Sequence, residues 1–178
     1  MSTVIRFVRH LWADAGDVRR KLDSAALQRL EQLVADSEAR HSGEICLCVE
    51  AALPLSYLWR QFRQRLAVAE IVHQRALSQF GKLRVWDTEH NNGVLIYLQL
   101  TEHRIEIVAD RGLVRRLEAD AWQAAVAAMR PALQAGQLEQ ALASAVKTVG
   151  SALERHFPLD PATSRSDADE LPNRPVVQ

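Results

Sequence analysis

Residues 86–100, WDTEHNNGVLIYLQL, join an acidic, amide-rich loop directly to an apolar segment. The apolar segment, 94–100, carries apolar side chains on both faces, which is typical of a central strand covered by helices on both sides. Oxygen and imidazole groups lie at the start of this strand, where an ion or a phosphate group is expected to bind. The segment therefore indicates an α/β fold, but it leaves the reaction open.

Two further segments predict the rest of the sheet. Residues 44–50, EICLCVE, are also apolar on both faces and predict a second central strand. The tetrad at 101–104 is a tight connection, so the segments 94–100 and 104–109 are predicted to form an antiparallel hairpin. Apolar residues at steps of three and four predict helices around these strands. The predicted helices are 3–13, 24–41, 56–80, 113–117, 119–133 and 138–156, and a further short strand is predicted at 83–86.

The length of 178 residues predicts one domain with its own hydrophobic core. We expect an amphipathic basic helix and linker at residues 1–22 and an α/β domain at 23–157. A disordered, proline-containing tail is expected at 158–178. For the first helix the sequence leaves two alternatives open, which are docking on the domain and contact with a membrane surface or a partner.

Composition and charge exclude several classes of protein. The 22 basic residues balance 22 acidic ones, which argues against general nucleic-acid binding. The start of the chain does not resemble a secretory signal, and no window approaches the roughly 20 apolar residues that cross a bilayer. Cys46 and Cys48 are predicted to be buried free thiols in a reducing compartment. We therefore expect a soluble cytoplasmic protein, with peripheral contact at the inner membrane as a further expectation.

The loop at residues 87–93, called the strand-end loop below, offers candidate ligands for an ion. Calcium and magnesium prefer carboxylate and amide oxygens, and Gly93 permits close approach of backbone carbonyls. His90 is the histidine that lies inside this acidic loop, which makes it a candidate acid or base. The five potential ligands or proton carriers are Asp87, Glu89, His90, Asn91 and Asn92.

A second acidic position, Asp110, follows the partner strand of the hairpin. Because a hairpin places the start of one strand beside the end of the next, we expect Asn92 and Asp110 to be neighbours. Proton transfer is assigned to His90 or Glu89. An Asn-Asn-Gly run is also typical of a turn that needs positive backbone torsions, and this alternative stays open. The predicted ligands of a calcium or magnesium ion are Asp87, Asn91, Asn92 and Asp110.

Residues 91–96, NNGVLI, and 104–113, RIEIVADRGL, together resemble the TPM domain family. The likeness extends from about residue 27 to about residue 154 and includes Gly43-Glu44-Ile45 before the first strand. The resemblance implies a three-layer α/β/α sandwich with a small mixed sheet of about four strands. It also implies one of two roles, since some members resemble metal-dependent acid phosphatases or bind divalent cations, whereas others are accessory modules for membrane proteins.

Two positions depart from the pattern of the family. Members commonly have Asp-Asn-Gly where this chain has Asn91-Asn92-Gly93, and a glycine where it has Asp110. The first difference removes a charge from the loop and the second adds one nearby, so the resemblance implies a rearranged ion site. The chain is similar to the short soluble bacterial branch of the family, in which segments like 86–93 and 171–177 recur.

Two hypotheses about function follow. In the first, the chain is a noncatalytic accessory or interaction module that binds a divalent cation at the strand-end loop and assists a membrane-associated protein partner. In the second, it is a metal-dependent phosphatase that hydrolyses phosphate monoesters, with the cation polarising a phosphoryl oxygen. The sequence has no recognisable nucleophile motif, no P-loop and no dinucleotide fingerprint, which favours the first hypothesis. No organic cofactor is expected.

Overall fold

The computed structural model of the chain describes residues 3–116, 119–159 and 171–178. Within these residues the chain forms four strands and eight helices. The strands are β1 (Ile45–Glu50), β2 (Val94–Gln99), β3 (Arg104–Ala109) and β4 (Val176–Val177). The helices are α1 (Thr3–Trp12), α2 (Ala15–Lys21), α3 (Ser24–Glu38), α4 (Leu55–Gln64), α5 (Val68–Lys82), α6 (Arg111–Val114), α7 (Ala119–Gln134) and α8 (Leu138–His156).

The strands form one mixed sheet in the order β3-β2-β1-β4. β1 is parallel to β2, with Ile45 opposite Val94 and Glu50 opposite Gln99. β2 and β3 form the predicted antiparallel hairpin, in which Val94 pairs with Ala109. Every residue of β1 and β2 is buried. This burial explains why neither segment alternates between apolar and polar side chains.

Helices cover both faces of the sheet. On one face, residues of α2, α3, α7 and α8 pack in a cluster with Ile45 and Ile96. On the other face, residues of α4 and α5 pack with Cys46, Cys48 and Leu95. The fold is therefore the α/β/α sandwich that the family resemblance implies. Both cysteines are free and buried, and burial raises the pKa of Cys46 to about 12, which keeps this group a thiol.

The prediction of one helix over 56–80 is wrong, because α4 ends at Gln64 and α5 begins at Val68. Arg65 lies between them with a left-handed φ of 53°. The side-chain amide of Gln61 donates to the Leu66 carbonyl at 3.2 Å, which closes the end of α4. Apolar residues continue at helical steps on both sides of this break, so the periodicity alone does not reveal it.

The prediction of a strand at 83–86 is also wrong, because this segment is a turn after α5. The N–H of Val85 donates to the carbonyl of Phe80 at 3.1 Å, and Arg84 has a φ of 54°. The Val85 carbonyl lies close against Gly93, where a Cβ atom would stand 2.0 Å from it. A glycine is therefore required at the start of β2 so that the turn packs against the strand.

The end of the chain differs from the predicted disordered tail. Val176–Val177 form β4, and the N–H of Gln178 donates to the carbonyl of Val49 at 3.0 Å. Leu171 is buried against the sheet face that carries α4 and α5. The composition predicts disorder because apolar residues are sparse here, but the few that are present complete the sheet. Residues 160–170 of the predicted tail lie outside the described residues.

Helix boundaries elsewhere shift by a few residues. The cap of α3 is Asp23, whose Oδ1 accepts from the N–H of Ala26 at 2.7 Å, rather than Ser24. α3 ends at Glu38. Asp110 caps α6, which therefore begins earlier than predicted. No helix in the described ranges is both long enough and apolar enough to span a bilayer.

α1 docks on the domain through its polar side. Nε2 of His10 donates to Oε1 of Glu102 at 2.6 Å, and its Nδ1 accepts from the N–H of Leu53 at 3.0 Å. Arg6 also donates to Glu102, and Arg9 donates to the Thr101 carbonyl at 3.1 Å. These partners follow the carboxyl ends of β1 and β2. α1 therefore lies at the opposite end of the sheet from the strand-end loop.

Candidate functional site

The strand-end loop is a compact turn held by its own hydrogen bonds. The N–H of Asn91 donates to the Thr88 carbonyl at 3.2 Å, and the N–H of Asn92 donates to Thr88 Oγ1 at 3.1 Å. Asn91 has a φ of 51°, in the left-handed region that asparagine tolerates better than most residues. The alternative that the Asn-Asn-Gly run serves a turn with positive torsions is thus confirmed at Asn91.

Asn92 is buried and links the two parallel strands at their amino ends. Its Nδ2 donates to the carbonyl of Ser42 at 2.9 Å, just before β1. The N–H of Ser42 in turn donates to the carbonyl of Phe157 after α8. The Asn92 side chain therefore ties the loop to β1 and, through Ser42, to the last helix. Sequence reasoning missed Ser42 because these residues are 50 positions apart.

Asn91 is held by the start of α6. Its Oδ1 accepts from Nε and Nη2 of Arg111 at 3.2 and 3.0 Å, so the predicted ligand atom is already hydrogen-bonded to a guanidinium. The backbone carbonyl of Asn91 accepts from the N–H of Gly112 at 2.9 Å. A Cβ atom at position 112 would stand 2.4 Å from that carbonyl oxygen, so the contact requires a glycine.

Asp110 lies where the hairpin geometry predicts, beside the loop. Its N–H donates to the Gly93 carbonyl at 2.9 Å, which makes Asp110 and Asn92 near neighbours as expected. One carboxylate oxygen, Oδ1, accepts from the N–H of Arg111 at 2.6 Å and caps α6. The other, Oδ2, is buried and has no hydrogen-bond partner among the described residues. Among the predicted ligand atoms in the described residues, this oxygen is the one that is both buried and without a partner.

Asp87, Glu89 and His90 are exposed on the outer side of the loop. Among the described residues, no three side chains of the His, Cys, Asp or Glu type come close enough together to hold a metal ion. The proton-transfer roles assigned to His90 and Glu89 therefore stay predictions.

The predicted cation ligands do not, as a set, fit a divalent ion in the arrangement observed. The Arg111 guanidinium occupies Asn91 Oδ1, and it also places a positive charge beside the position a cation would take. Of the predicted ligands, Asp110 alone has a carboxylate oxygen that is buried and without a partner. Calcium or magnesium binding stays a prediction, and a site that uses Asn91 Oδ1 requires Arg111 to move.

A buried polar cluster that the sequence analysis missed lies at the other end of the sheet. Arg75 Nε donates to Glu50 Oε2 at 2.9 Å, and Tyr97 Oη donates to the same oxygen at 2.5 Å. Gln79 Nε2 donates to Gln178 Oε1 at 2.7 Å, which joins the cluster to the end of the chain. The one signal in the sequence was an arginine on the apolar side of a helix, between Val72 and Ala76.

The pKa shifts in this cluster follow from burial and pairing. Burial works against the charge on Arg75, but its hydrogen bonds and attraction to Glu50 outweigh burial and raise its pKa. Burial and the neighbouring Glu50 carboxylate both raise the pKa of Tyr97, which stays a neutral donor. The cluster thus holds one buried ion pair between Arg75 and Glu50 and one neutral hydroxyl donor, Tyr97. Its chemistry is that of a structural link between β1, α5 and β4.

The comparisons with known proteins agree with this fold. Residues 17–152 match the TPM domain. The chain belongs to the TPM domain family. A solved structure, the NMR structure of BA42 protein from the psychrophilic bacterium Bizionia argentinensis, is similar to this TPM domain with a TM-score of 0.69 and 26% sequence identity. The match covers 87% of this chain and 94% of BA42. No curated protein matches the chain.

Within this TPM domain, the matched region contains the strand-end loop, Asp110 and the hairpin. The match ends at residue 152, so β4 lies outside it. α1 also lies outside it, since the match begins at residue 17. The family match therefore accounts for the central sandwich, while the first helix and the last strand lie outside the matched residues.

Proposed function

We propose that this TPM domain protein is a noncatalytic accessory or interaction module with a membrane-associated partner, rather than a metal-dependent phosphatase. The observation that carries the proposal is the set of hydrogen bonds that the side chains of the strand-end loop and Asp110 make within the fold. Asn91 accepts from Arg111, Asn92 donates to Ser42, and Asp110 caps α6. Groups that would have to bind an ion and a phosphate are instead engaged in holding the turn, the strands and the helix together.

Cation-assisted hydrolysis needs several oxygen ligands around a position that remains open to substrate. The Arg111 guanidinium lies where such a cation would gain a ligand from Asn91, and its like charge repels a cation there. His90 and Glu89 are exposed on the strand-end loop. These features favour a structural role for the strand-end loop.

The test is a phosphate-monoester assay on chelator-treated protein with calcium, magnesium or manganese added back. Wild type and Asp110→Asn are expected to show the same background rate with every cation. Asp110→Asn is the matched control because it retains the shape and the cap acceptor while removing the charge that a cation would need. Cation-dependent hydrolysis that is present in wild type and lost in Asp110→Asn contradicts the proposal and favours the phosphatase.

One observation favours a structural cation within the same module. Asp110 Oδ2 is buried without a hydrogen-bond partner, and an ion would satisfy it. If calcium or magnesium binds there, the ion raises the melting temperature of wild type and not that of Asp110→Asn. Arg111→Gln removes the competing guanidinium and is expected to bind the ion more tightly. The site is ruled out if added cation leaves the melting temperature unchanged in both wild type and Arg111→Gln.

A further inference from the structure

The outward face of α1 is apolar. Its polar side is used for docking, so the residues at helical spacing on the opposite side, Ile5, Val8, Leu11 and Trp12, are exposed. Trp12 is 82% exposed, a large fraction for the side chain that gains most from leaving water. An amphipathic helix normally packs its apolar stripe on the core. The inverted orientation of α1 presents this stripe to an external partner.

α4 adds a second apolar face beside it. Leu55, Trp59 and Phe62 are exposed, the last two at 61% each. The rings of Trp59 and Phe62 lie with centroids 6.1 Å apart and form one aromatic ridge. α1 and α4 border a common cleft of about 520 Å³, lined on one side by Phe7 and on the other by Leu58 and Phe62. The two helices therefore share one cleft, and we call these seven exposed side chains the α1–α4 surface.

The two segments that form the α1–α4 surface carry basic residues and no acidic ones, although Glu102 pairs with Arg6 and Asp17 lies near Trp12. No aspartate or glutamate occurs in residues 1–13 or 51–69, although the whole chain carries equal numbers of acidic and basic residues. These two segments contain Arg6, Arg9, Arg60, Arg63 and Arg65. Arg63 and Arg65 are exposed at the end of α4, where both border the cleft. Basic side chains near exposed aromatic and aliphatic side chains complement an anionic, partly apolar partner.

We propose that the α1–α4 surface binds the surface of an anionic lipid bilayer. Tryptophan, phenylalanine and leucine insert at the boundary between headgroups and acyl chains, while the arginines remain among the lipid phosphates. Self-association through the same surface is disfavoured because a twofold interface would bring the exposed arginines at the end of α4 toward those of the second copy. The inference extends the proposed function by naming lipid as the membrane component that the module contacts.

The surface lies away from the strand-end loop. α1 and α4 follow or contact the carboxyl ends of β1 and β2, and the loop lies at the amino end of β2. A strand of six residues, such as β2, separates its ends by about 20 Å. Lipid binding and any cation binding are therefore separable properties, and each can fail without the other.

The experiment is sedimentation with large vesicles of phosphatidylcholine mixed with phosphatidylglycerol, compared with vesicles of phosphatidylcholine alone. Wild type is expected to pellet with the anionic vesicles and to be released by added salt, since surface charges are screened. Trp12→Ala combined with Trp59→Ala is expected to weaken binding at least tenfold. The matched control is Trp86→Ala, because Trp86 is also exposed but lies beside the strand-end loop.

The basic side chains are tested by neutralisation. Arg63→Gln combined with Arg65→Asn removes two charges, and asparagine suits the left-handed backbone at position 65. Each basic side chain is attracted to an anionic leaflet. This variant should therefore bind the anionic vesicles at least tenfold more weakly than wild type. Lys147→Gln combined with Arg155→Gln is the control, since both residues are exposed on α8. All variants should keep the wild-type melting temperature because the altered side chains are exposed.

Three results would overturn the inference. One is wild-type protein that stays in the supernatant with anionic vesicles, which would assign the surface to a protein partner. Another is equal binding by the surface variants and their controls. The third is a stable dimer of the protein in solution that dissociates in the Trp12→Ala, Trp59→Ala variant. None of these results depends on the phosphate-ester assay, which reports on the strand-end loop alone.

Discussion

Gly150 lies inside α8, where alanine normally stabilises a helix by about 1 kcal/mol relative to glycine. Here a Cβ atom would stand 2.1 Å from Ser37 Oγ on α3, inside the van der Waals contact distance. We expect Gly150→Ala to lower the free energy of unfolding by about 1–3 kcal/mol, measured by urea denaturation. Adding Ser37→Ala should recover most of the loss.

The matched control is Gly81→Ala. Gly81 lies in the last turn of α5, and nothing stands within 4 Å of a Cβ atom built there. This substitution should be neutral or stabilise by up to about 1 kcal/mol. Equal stability of Gly150→Ala and Gly81→Ala would show that α3 and α8 can separate without cost.

His41 gives the fold a pH-dependent contribution. Its Nδ1 lies 2.9 Å from the Gly43 carbonyl and its Nε2 lies 3.0 Å from Ser37 Oγ, an arrangement that suits the neutral ring. Burial lowers its pKa from 6.5 to about 4. Between these two pH values the unfolded chain therefore binds more protons than the folded chain. The contribution of His41 to the free energy of unfolding is complete above pH 6.5 and is lost as the pH falls toward 4.

We expect wild type to lose about 2 kcal/mol of unfolding free energy from this residue between neutral pH and pH values near its folded pKa. His41→Gln does not titrate, so its urea denaturation should depend less steeply on pH over the same range. An identical pH dependence of the two proteins would assign the acid sensitivity to other groups.

At the scale of elements, the docking of α1 depends on Glu102. Burial opposes its ionisation, but the hydrogen bonds from His10 and Arg6 outweigh burial and hold its pKa below the usual value. Because the folded pKa is lowered, the stabilisation is present above pH 4.5 and is lost as the pH falls through the folded value. Acid therefore weakens the attachment of α1.

Glu102→Gln is expected to release α1 at neutral pH. The removal of the charged acceptor of Arg6 and His10 costs about 1–3 kcal/mol locally. Trypsin should then cleave after Arg6 and Arg9 several times faster than in wild type. Glu154→Gln is the control, because its pair with Arg40 is exposed and long at 3.4 Å. Equal cleavage rates in both variants would mean that apolar packing holds the helix.

β4 is the second element with a measurable role. It covers one edge of β1, and Gln178 accepts from Gln79 inside the buried cluster. A chain that stops before residue 171 loses these bonds and exposes Leu171's packing site. We expect its melting temperature to fall by several degrees and the protein to aggregate more readily through the open edge of β1. Unchanged unfolding would show that three strands suffice.

The elements that the sequence predicts well are those whose signal is local. Continuous apolar runs identify β1 and β2, and the short connection at 101–104 identifies the hairpin. The bounds of α8 follow from a regular apolar stripe. The break at Arg65 and the pairing of Val176 with Cys48 were missed, because a left-handed residue other than glycine and a contact between distant positions leave no periodic signal.

In the candidate site, too, the features with a local sequence signal were the predictable ones. The proximity of Asn92 and Asp110 was predictable because the hairpin register determines it. The bond between Asn92 and Ser42 was not, and neither was the placement of Arg111 on Asn91, which links residues 20 positions apart. Carboxylate and amide side chains are able to bind an ion, but the hydrogen bonds that engage them here depend on tertiary contacts that composition does not encode.

At the scale of the whole molecule, the two ends of the sheet should behave independently. Asn92→Ala breaks a buried link at the amino end of β2, and Glu102→Gln breaks one near the carboxyl end. For sites this far apart, the losses in unfolding free energy should add within about 0.5 kcal/mol in a double-mutant cycle. A larger coupling would show that the rigid sheet transmits strain from the loop to α1.

The position of β4 also sets an order of events during synthesis. β1 is translated more than a hundred residues before Val176, the first residue of its outer partner. While the ribosome completes the intervening helices, one side of β1 has no strand beside it, and Cys48 has no paired neighbour there. Until β4 is made, the open edge of β1 is able to pair with the same edge of another nascent chain on the same mRNA. We therefore expect chaperones to be needed most before Val176 and Val177 emerge.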